Sequence, residues 1–92
     1  MEVNVLLFGA LQQQIGQKKI HFSLPPEARF GDLLDEIGRR FGNRISGYLW
    51  DAESHEFKPG VRAVAERGFL ESREAPLRDG EEIRIFPSMG GG

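Results

Sequence analysis

The stretch "RFGDLLDEIGRRFG", residues 29–42, constrains the fold of this chain more than any other. Phe30, Leu33, Leu34, Ile37 and Phe41 recur at helical spacing and form one apolar stripe, and Gly42 follows at a C-cap position. Such a stripe has to be buried, and nothing else in the sequence reads as a partner helix large enough to bury it. The remaining apolar residues fall in strand-like runs, so the helix must cover a sheet.

Those runs are short and well punctuated. In "VNVLLFG", Val3, Val5 and Leu7 alternate with Asn4, Leu6 and Phe8, which makes both faces largely apolar and the strand central. "KIHFSL" puts Ile20, Phe22 and Leu24 on one face before Pro25 and Pro26 stop it. The intervening "LQQQIGQKK" reads as a turn around Gly16, joining the two segments as a β-hairpin. After the helix, "NRISGYLWDAESHEFKPG" is the least regular part and reads as an exposed loop over residues 48–60, anchored on the core by Trp50 and Phe57. "VRAVAERGFL" gives a strand, an Arg67-Gly68 turn and a short continuation. "APLRDGEEIRIF" gives an Asp79-Gly80 turn and a last strand, with Ile83 and Ile85 on one face and Arg84 and Phe86 on the other.

The order is β-β-α-β-β with a short extra element before the end. That is the pattern of an α+β, β-grasp (ubiquitin-like) fold, a mixed β-sheet packed on one main helix. The right-handed crossover rule then sets the first and last strands parallel at the sheet centre. We expect a single domain over residues 1–87 and a flexible glycine-rich tail over 88–92.

Composition excludes several function classes. The 92 residues suit one small core, and no apolar run approaches the ~20 residues of a membrane helix. The N-terminal stretch lacks a secretory-signal pattern, which places the chain in the cytoplasm. A formal net charge of −2 argues against nucleic acid, and Arg39, Arg40 and Arg44 read as a solvated helix end where cations favour the dipole. The absence of cysteine removes disulfides, redox motifs, thiolate metal sites and a cysteine nucleophile. Asp32, Asp35 and Glu36 lie off the stripe and read as a solvated acidic face. His21 and His55 lack metal-ligand spacing, so no metal site is expected. Nucleophile elbows, P-loops and dinucleotide loops are missing as well.

What remains is the ending "IRIFPSMGGG", residues 83–92. "PLRDGEEIRIFPSMGGG" resembles the C-terminus of the MoaD/ThiS-type sulfur carriers, in which a leucine, an acidic-glycine turn, an apolar strand ending Phe-Pro and a terminal Gly-Gly recur in that order. "VLLFGALQQQIG" and "FGDLLDEIGRRF" are similar to the matching parts of the molybdopterin synthase small subunit. The resemblance implies that an E1-like adenylating enzyme, using ATP and Mg, adenylates the carboxyl of Gly92. A sulfur donor then displaces AMP to leave a thiocarboxylate. The sulfur passes on inside a second partner, the molybdopterin synthase large subunit or an equivalent acceptor enzyme. This chain itself binds no cofactor.

Physical chemistry fits that role. A chain-terminal carboxyl is ionised at neutral pH and is a poor electrophile until activated. Gly90 and Gly91 lack a Cβ and suit a narrow channel in a partner's active site. The six residues after Phe86 span on the order of 20 Å when extended. Phe8 and Phe86, opposite the aliphatic series Val5, Leu7, Ile83 and Ile85, are expected to form a partner-binding patch that Leu70 joins; the competing reading is a double-sided core. A carrier for another thiolation pathway, a modifier joined to lysine, and a β-grasp interaction module with an idle tail are the alternatives.

Overall fold

The structure is a computed structural model that describes residues 1–87; the expectations for Gly90, Gly91 and Gly92 lie outside the described residues. Its elements in chain order are β1 (Glu2–Leu7), α1 (Gly9–Ile15), β2 (Lys19–Ser23), α2 (Phe30–Phe41), a 3-10 turn at Gly42–Arg44, β3 (Trp50–Asp51), β4 (Glu56–Phe57), β5 (Val61–Ala65), β6 (Gly68–Phe69) and β7 (Glu81–Pro87). Five strands make one mixed sheet in the order β2-β1-β7-β5-β6, and β3 and β4 form a small separate hairpin. This is the expected β-grasp. β1 and β7 pair in parallel at the centre, in the register Val5↔Ile83 and Leu7↔Ile85.

The strand alternation sorts residues between two faces. Val3, Val5, Ile20, Phe22, Ala63, Ile83 and Ile85 point into the core, where Leu33, Leu34, Ile37 and Phe41 of α2 cover them. Asp32 closes the first turn of α2 by accepting the Arg29 backbone N–H at 2.8 Å, a charge-assisted bond at the end where the helix dipole favours an anion. The acidic side chain thus supplies the cap that Arg29 cannot.

One connection differs from the sequence reading. Between β1 and β2 the chain forms the helix α1 instead of a turn, although β2 still pairs antiparallel with β1. Leu11 and Ile15, four residues apart, are both buried and close the end of the core, while the glutamines between them keep the helix soluble on its other side. Gly16 ends it in the left-handed region at φ 88°, its N–H bonded to the Gln12 carbonyl. The hairpin register survives because the Leu7 N–H still reaches the Lys18 carbonyl at 2.8 Å.

The irregular middle is an anchored hairpin. Trp50 is 2% exposed, meets Phe57 edge-on at 4.8 Å and stacks on His55 at 6.1 Å. Gly38 of α2 makes room for that stack, since a Cβ there would lie 2.8 Å from His55 Cδ2 and 2.9 Å from Trp50 Cζ2. His55 itself adopts φ 56° and turns its Nδ1 to Asp35 at 3.0 Å.

Arg73 ties these parts together. Its guanidinium donates to both Asp35 oxygens at 2.9 and 3.0 Å, and to the carbonyls of Gly31, Ser54 and His55 at 3.2–3.3 Å. The acidic residues of α2 are therefore not simply a solvated face. Asp32 caps, Asp35 receives Arg73 and His55, and Glu36 pairs with Arg39. The basic group is engaged too, with Arg40 lying 4.8 Å over the Phe22 ring and Arg44 bonded to the Ile15 carbonyl at 3.0 Å.

Arg73→Ala should cost about 1–3 kcal/mol, because the loop carbonyls it satisfies lose their donor. The hydrogen bond from Arg73, aided by His55, holds the Asp35 carboxyl below its usual 3.8. A depressed folded value contributes stability above the unfolded pKa that is lost as pH falls through the folded one. Asp35→Asn should thus lower the urea midpoint at neutral pH and make its decline in acid shallower, which urea titrations across the acid range measure. Gly38→Ala should destabilise by about 1–3 kcal/mol through overpacking against Trp50 and His55. Gly47→Ala, where a Cβ meets nothing within 4 Å, should leave the midpoint unchanged or raised.

Candidate functional site

α2 covers one face of the sheet and leaves the other open. On that open face the register sets Leu6 of β1, Arg84 of β7, Val64 of β5 and Phe69 of β6 side by side. A second row, nearer the end of β7, holds Phe86 opposite Arg62. Phe8 continues it, since its N–H reaches the Ile85 carbonyl at 3.2 Å. Phe69 is 52% and Phe8 42% exposed, while Leu6, Val64 and Phe86 are half-buried.

Two cations lie within this surface, Arg84 between Leu6 and Val64 and Arg62 beside Phe86. Arg62 lies 4.3 Å over the Phe69 ring and 3.7 Å from Glu71, and Arg84 pairs with Glu82 at 3.0 Å. The other end of the open face is polar. There the Glu2 carboxylate accepts Ser23 Oγ at 2.7 Å and meets His21 Nε2 at 2.5 Å, and His21 Nδ1 lies 3.1 Å from Asn4 Oδ1. The Ser23 hydroxyl first, then His21, holds the Glu2 carboxyl below its usual range. His21 and His55 thus sit in two separate carboxylate pairs.

The apolar surface gathers at the end where β7 leaves the sheet. Pro87 is the last residue of that ladder and pairs with Val61. It lies beside Gly9, where a Cβ would make an ordinary contact with the proline ring at 3.5 Å, and Gly9 opens α1 at φ 59°. That left-handed backbone conformation, not crowding, is what favours glycine here.

The residues expected to form the patch separate into two groups. Phe8 lies exposed on the open face and Phe86 is half-buried beside it. Leu70 does not join them. It is 6% exposed, on the core side, because the two-residue turn at Glu66–Arg67 sets Phe69 opposite Val64 and so turns the next residue inward. The sequence reading sets Arg84 on the Phe86 face but does not pick out Phe69 or Arg62; strict alternation from Val64 across that turn finds Phe69.

Fold and site together define a class, a β-grasp protein whose central last strand leads in sequence into a glycine run, as in the small sulfur carriers and ubiquitin-like modifiers. The chain belongs to the ThiS family, whose profile matches residues 5–92. Small archaeal modifier protein 3 of Haloferax volcanii is 28% identical over 95 residues, covering 100% of both chains. The crystal structure of SAMP1 from Haloferax volcanii matches with a TM-score of 0.82 at 17% identity, over 100% of both chains. The complex of subunits 1 and 2 of the molybdopterin-converting factor from Helicobacter pylori contains a chain with a TM-score of 0.65 at 17% identity, again over 100% of both. Among the described residues, no helix is long and apolar enough to cross a membrane.

If the open face is a surface rather than a second core, charges should be tolerated there. Phe8→Asp and Phe69→Asp should each shift folding stability by no more than about 0.5 kcal/mol, the range of ordinary surface substitutions. Ile83→Ala, by contrast, should cost about 2–5 kcal/mol as a core truncation. Denaturant titration of the three variants compares them directly.

Proposed function

We propose that this protein carries sulfur as a thiocarboxylate on Gly92. The supporting observation is the joint placement of the apolar patch and the end of β7, which would let a partner grip the sheet while the residues after Pro87 enter its active site. An E1-like enzyme docks on Leu6, Phe8, Phe69 and Phe86, with Arg62 and Arg84 among them meeting its carboxylates. It uses ATP and Mg to join the Gly92 carboxylate to AMP, releasing pyrophosphate. A sulfur donor then attacks the acyl carbon, AMP departs, and the acyl thio-acid remains. Molybdenum or tungsten cofactor synthesis is the pathway favoured here, with a molybdopterin synthase large subunit taking the sulfur. The structural likeness to a chain in the Helicobacter pylori two-subunit complex supports that choice. The name of the Haloferax relative supports a second reading, in which the activated Gly92 is joined to a lysine of another protein.

The reading is tested on protein isolated from its native cell by intact mass measurement. A mass increase matching one oxygen-to-sulfur exchange supports the carrier, and an added protein mass supports the modifier. Deleting Gly92, or adding one residue after it, should abolish activation by the E1-like enzyme while leaving thermal unfolding unchanged. Phe69→Asp should weaken binding to that enzyme by about 1 kcal/mol or more, as at an interface hot spot. Full activity of an extended chain that is not trimmed in the assay would sink the proposal.

A further inference from the structure

The β2 side of the sheet gathers charge of one sign. Lys18 and Lys19, both exposed, stand where β2 begins. Arg40 of α2 lies 4.8 Å over the ring of Phe22 in that strand, and Arg44 donates at 3.0 Å to the carbonyl of Ile15, shortly before the two lysines. An aromatic ring and a carbonyl leave a guanidinium its full charge. Among the described residues, none of these four cations forms an ion pair with a carboxylate, and Glu36, in the second half of α2, is taken by Arg39. The carboxylates near β2 lie toward its other end, where Glu2 meets His21 and Ser23 and Glu27 follows the two prolines. One end of β2 is thus cationic on a chain of net charge −2.

The same strand has a free edge. β2 pairs with β1 on one side and with no strand on the other. Met1 and Leu24 exchange main-chain bonds at 2.9 and 2.8 Å, and the alternation of an antiparallel ladder then turns Phe22 and Ile20 toward β1 and the N–H and C=O groups of Lys19, His21 and Ser23 outward. The Leu7 N–H on the Lys18 carbonyl keeps that phase. Among the described residues, no main-chain partner meets the outward groups. A second copy would bring two cationic edges together, the like-charge repulsion by which lysine-bearing edges avoid pairing with themselves.

We propose that the β2 edge binds an extended segment of a partner protein that ends in a run of carboxylates and adds to the sheet as a strand. Main-chain bonds to Lys19, His21 and Ser23 hold it. Successive side chains of the segment fall on opposite faces, and cations wait on both, Lys19 on the open face and Arg40 on the helix face. That placement calls for consecutive carboxylates, and the antiparallel direction, the more stable pairing, sets them at the C-terminal end of the segment. Neither Gly92 nor the patch around Phe8 and Phe86 takes part, so the site stands or falls independently of the carrier reading.

The test titrates the isotope-labelled full chain with the capped peptide Thr-Val-Thr-Val-Glu-Glu-Glu. Amide shifts should alternate along β2, larger at Lys19, His21 and Ser23 than at Ile20 and Phe22. Lys19→Glu and Arg40→Glu should each weaken binding about fivefold or more, the scale of one exposed ion pair, while Lys58→Glu, in the segment after β4, should leave it unchanged. Two peptides N-methylated at every second residue, in the two possible phases, should differ at least tenfold, because only one phase removes the N–H groups that face the edge. Uniform shifts along β2, equal binding of the two methylated peptides, an equal loss from Lys58→Glu, hexauridylate shifting the same outward amides as strongly as the peptide, or no response up to the solubility limit would each overturn the proposal.

Discussion

The parallel pairing of β1 with β7 is the contact on which the rest of the molecule depends. Val3, Val5, Ile83 and Ile85 are all 0% exposed, so the strands nearest the two ends of the described chain meet through fully buried positions. A parallel pair needs a long crossover, and here the crossover contains α2, which lies over the core face of the same sheet. Sheet closure and helix burial are therefore one event. Neither face of the pair is complete until nearly the whole chain has been placed.

That pairing also fixes how the last strand ends. β7 pairs with β1 in parallel from Glu81 to Ile85 and with β5 antiparallel from Arg84 to Pro87. A proline has no N–H to continue a ladder, so it suits the point where a strand must stop. The chain accordingly leaves the sheet from a residue still paired with β5. Beside that exit the alternation that buried Leu7 and Ile85 turns Phe8 and Phe86 to the other face, and Phe69 reaches it by the same rule across the tight turn from β5. A single period-two pattern thus makes the core and the open patch together.

Sequence alone revealed the parts set by periodicity. The stripe of α2, the alternation in β1, β2 and β7 and the Asp79-Gly80 turn all carry repeated signals, and the sheet order follows from them. α1 did not, because Leu11 and Ile15 are two anchors within seven residues, too few to outweigh a glycine and three glutamines that also suit a turn. Leu70 was misplaced because its facing depends on the length of a turn, and one residue more or less would have reversed it. Arg73 was invisible for a different reason. Its partners are Asp35 and three backbone carbonyls, 18 to 42 residues away, and no local pattern announces a bond to a distant carbonyl.

Under the proposed carrier function, the patch and the glycine run would divide the work on energetic grounds. Ordering the five residues after Pro87 inside a partner would cost roughly 1–2 kcal/mol each, and more for the glycines. Glycines offer no side-chain area to offset that cost. Burying one large apolar side chain fully is worth about 1.5–3 kcal/mol, and Phe8 and Phe69 start with about half their surface exposed. In the carrier reading a grip on the patch therefore offsets the ordering of the arm only in part. In that reading binding would stay weak enough for the protein to leave one enzyme and reach the next. A carrier with a larger patch would be held by its first partner, and one with a bulkier arm could not enter the second.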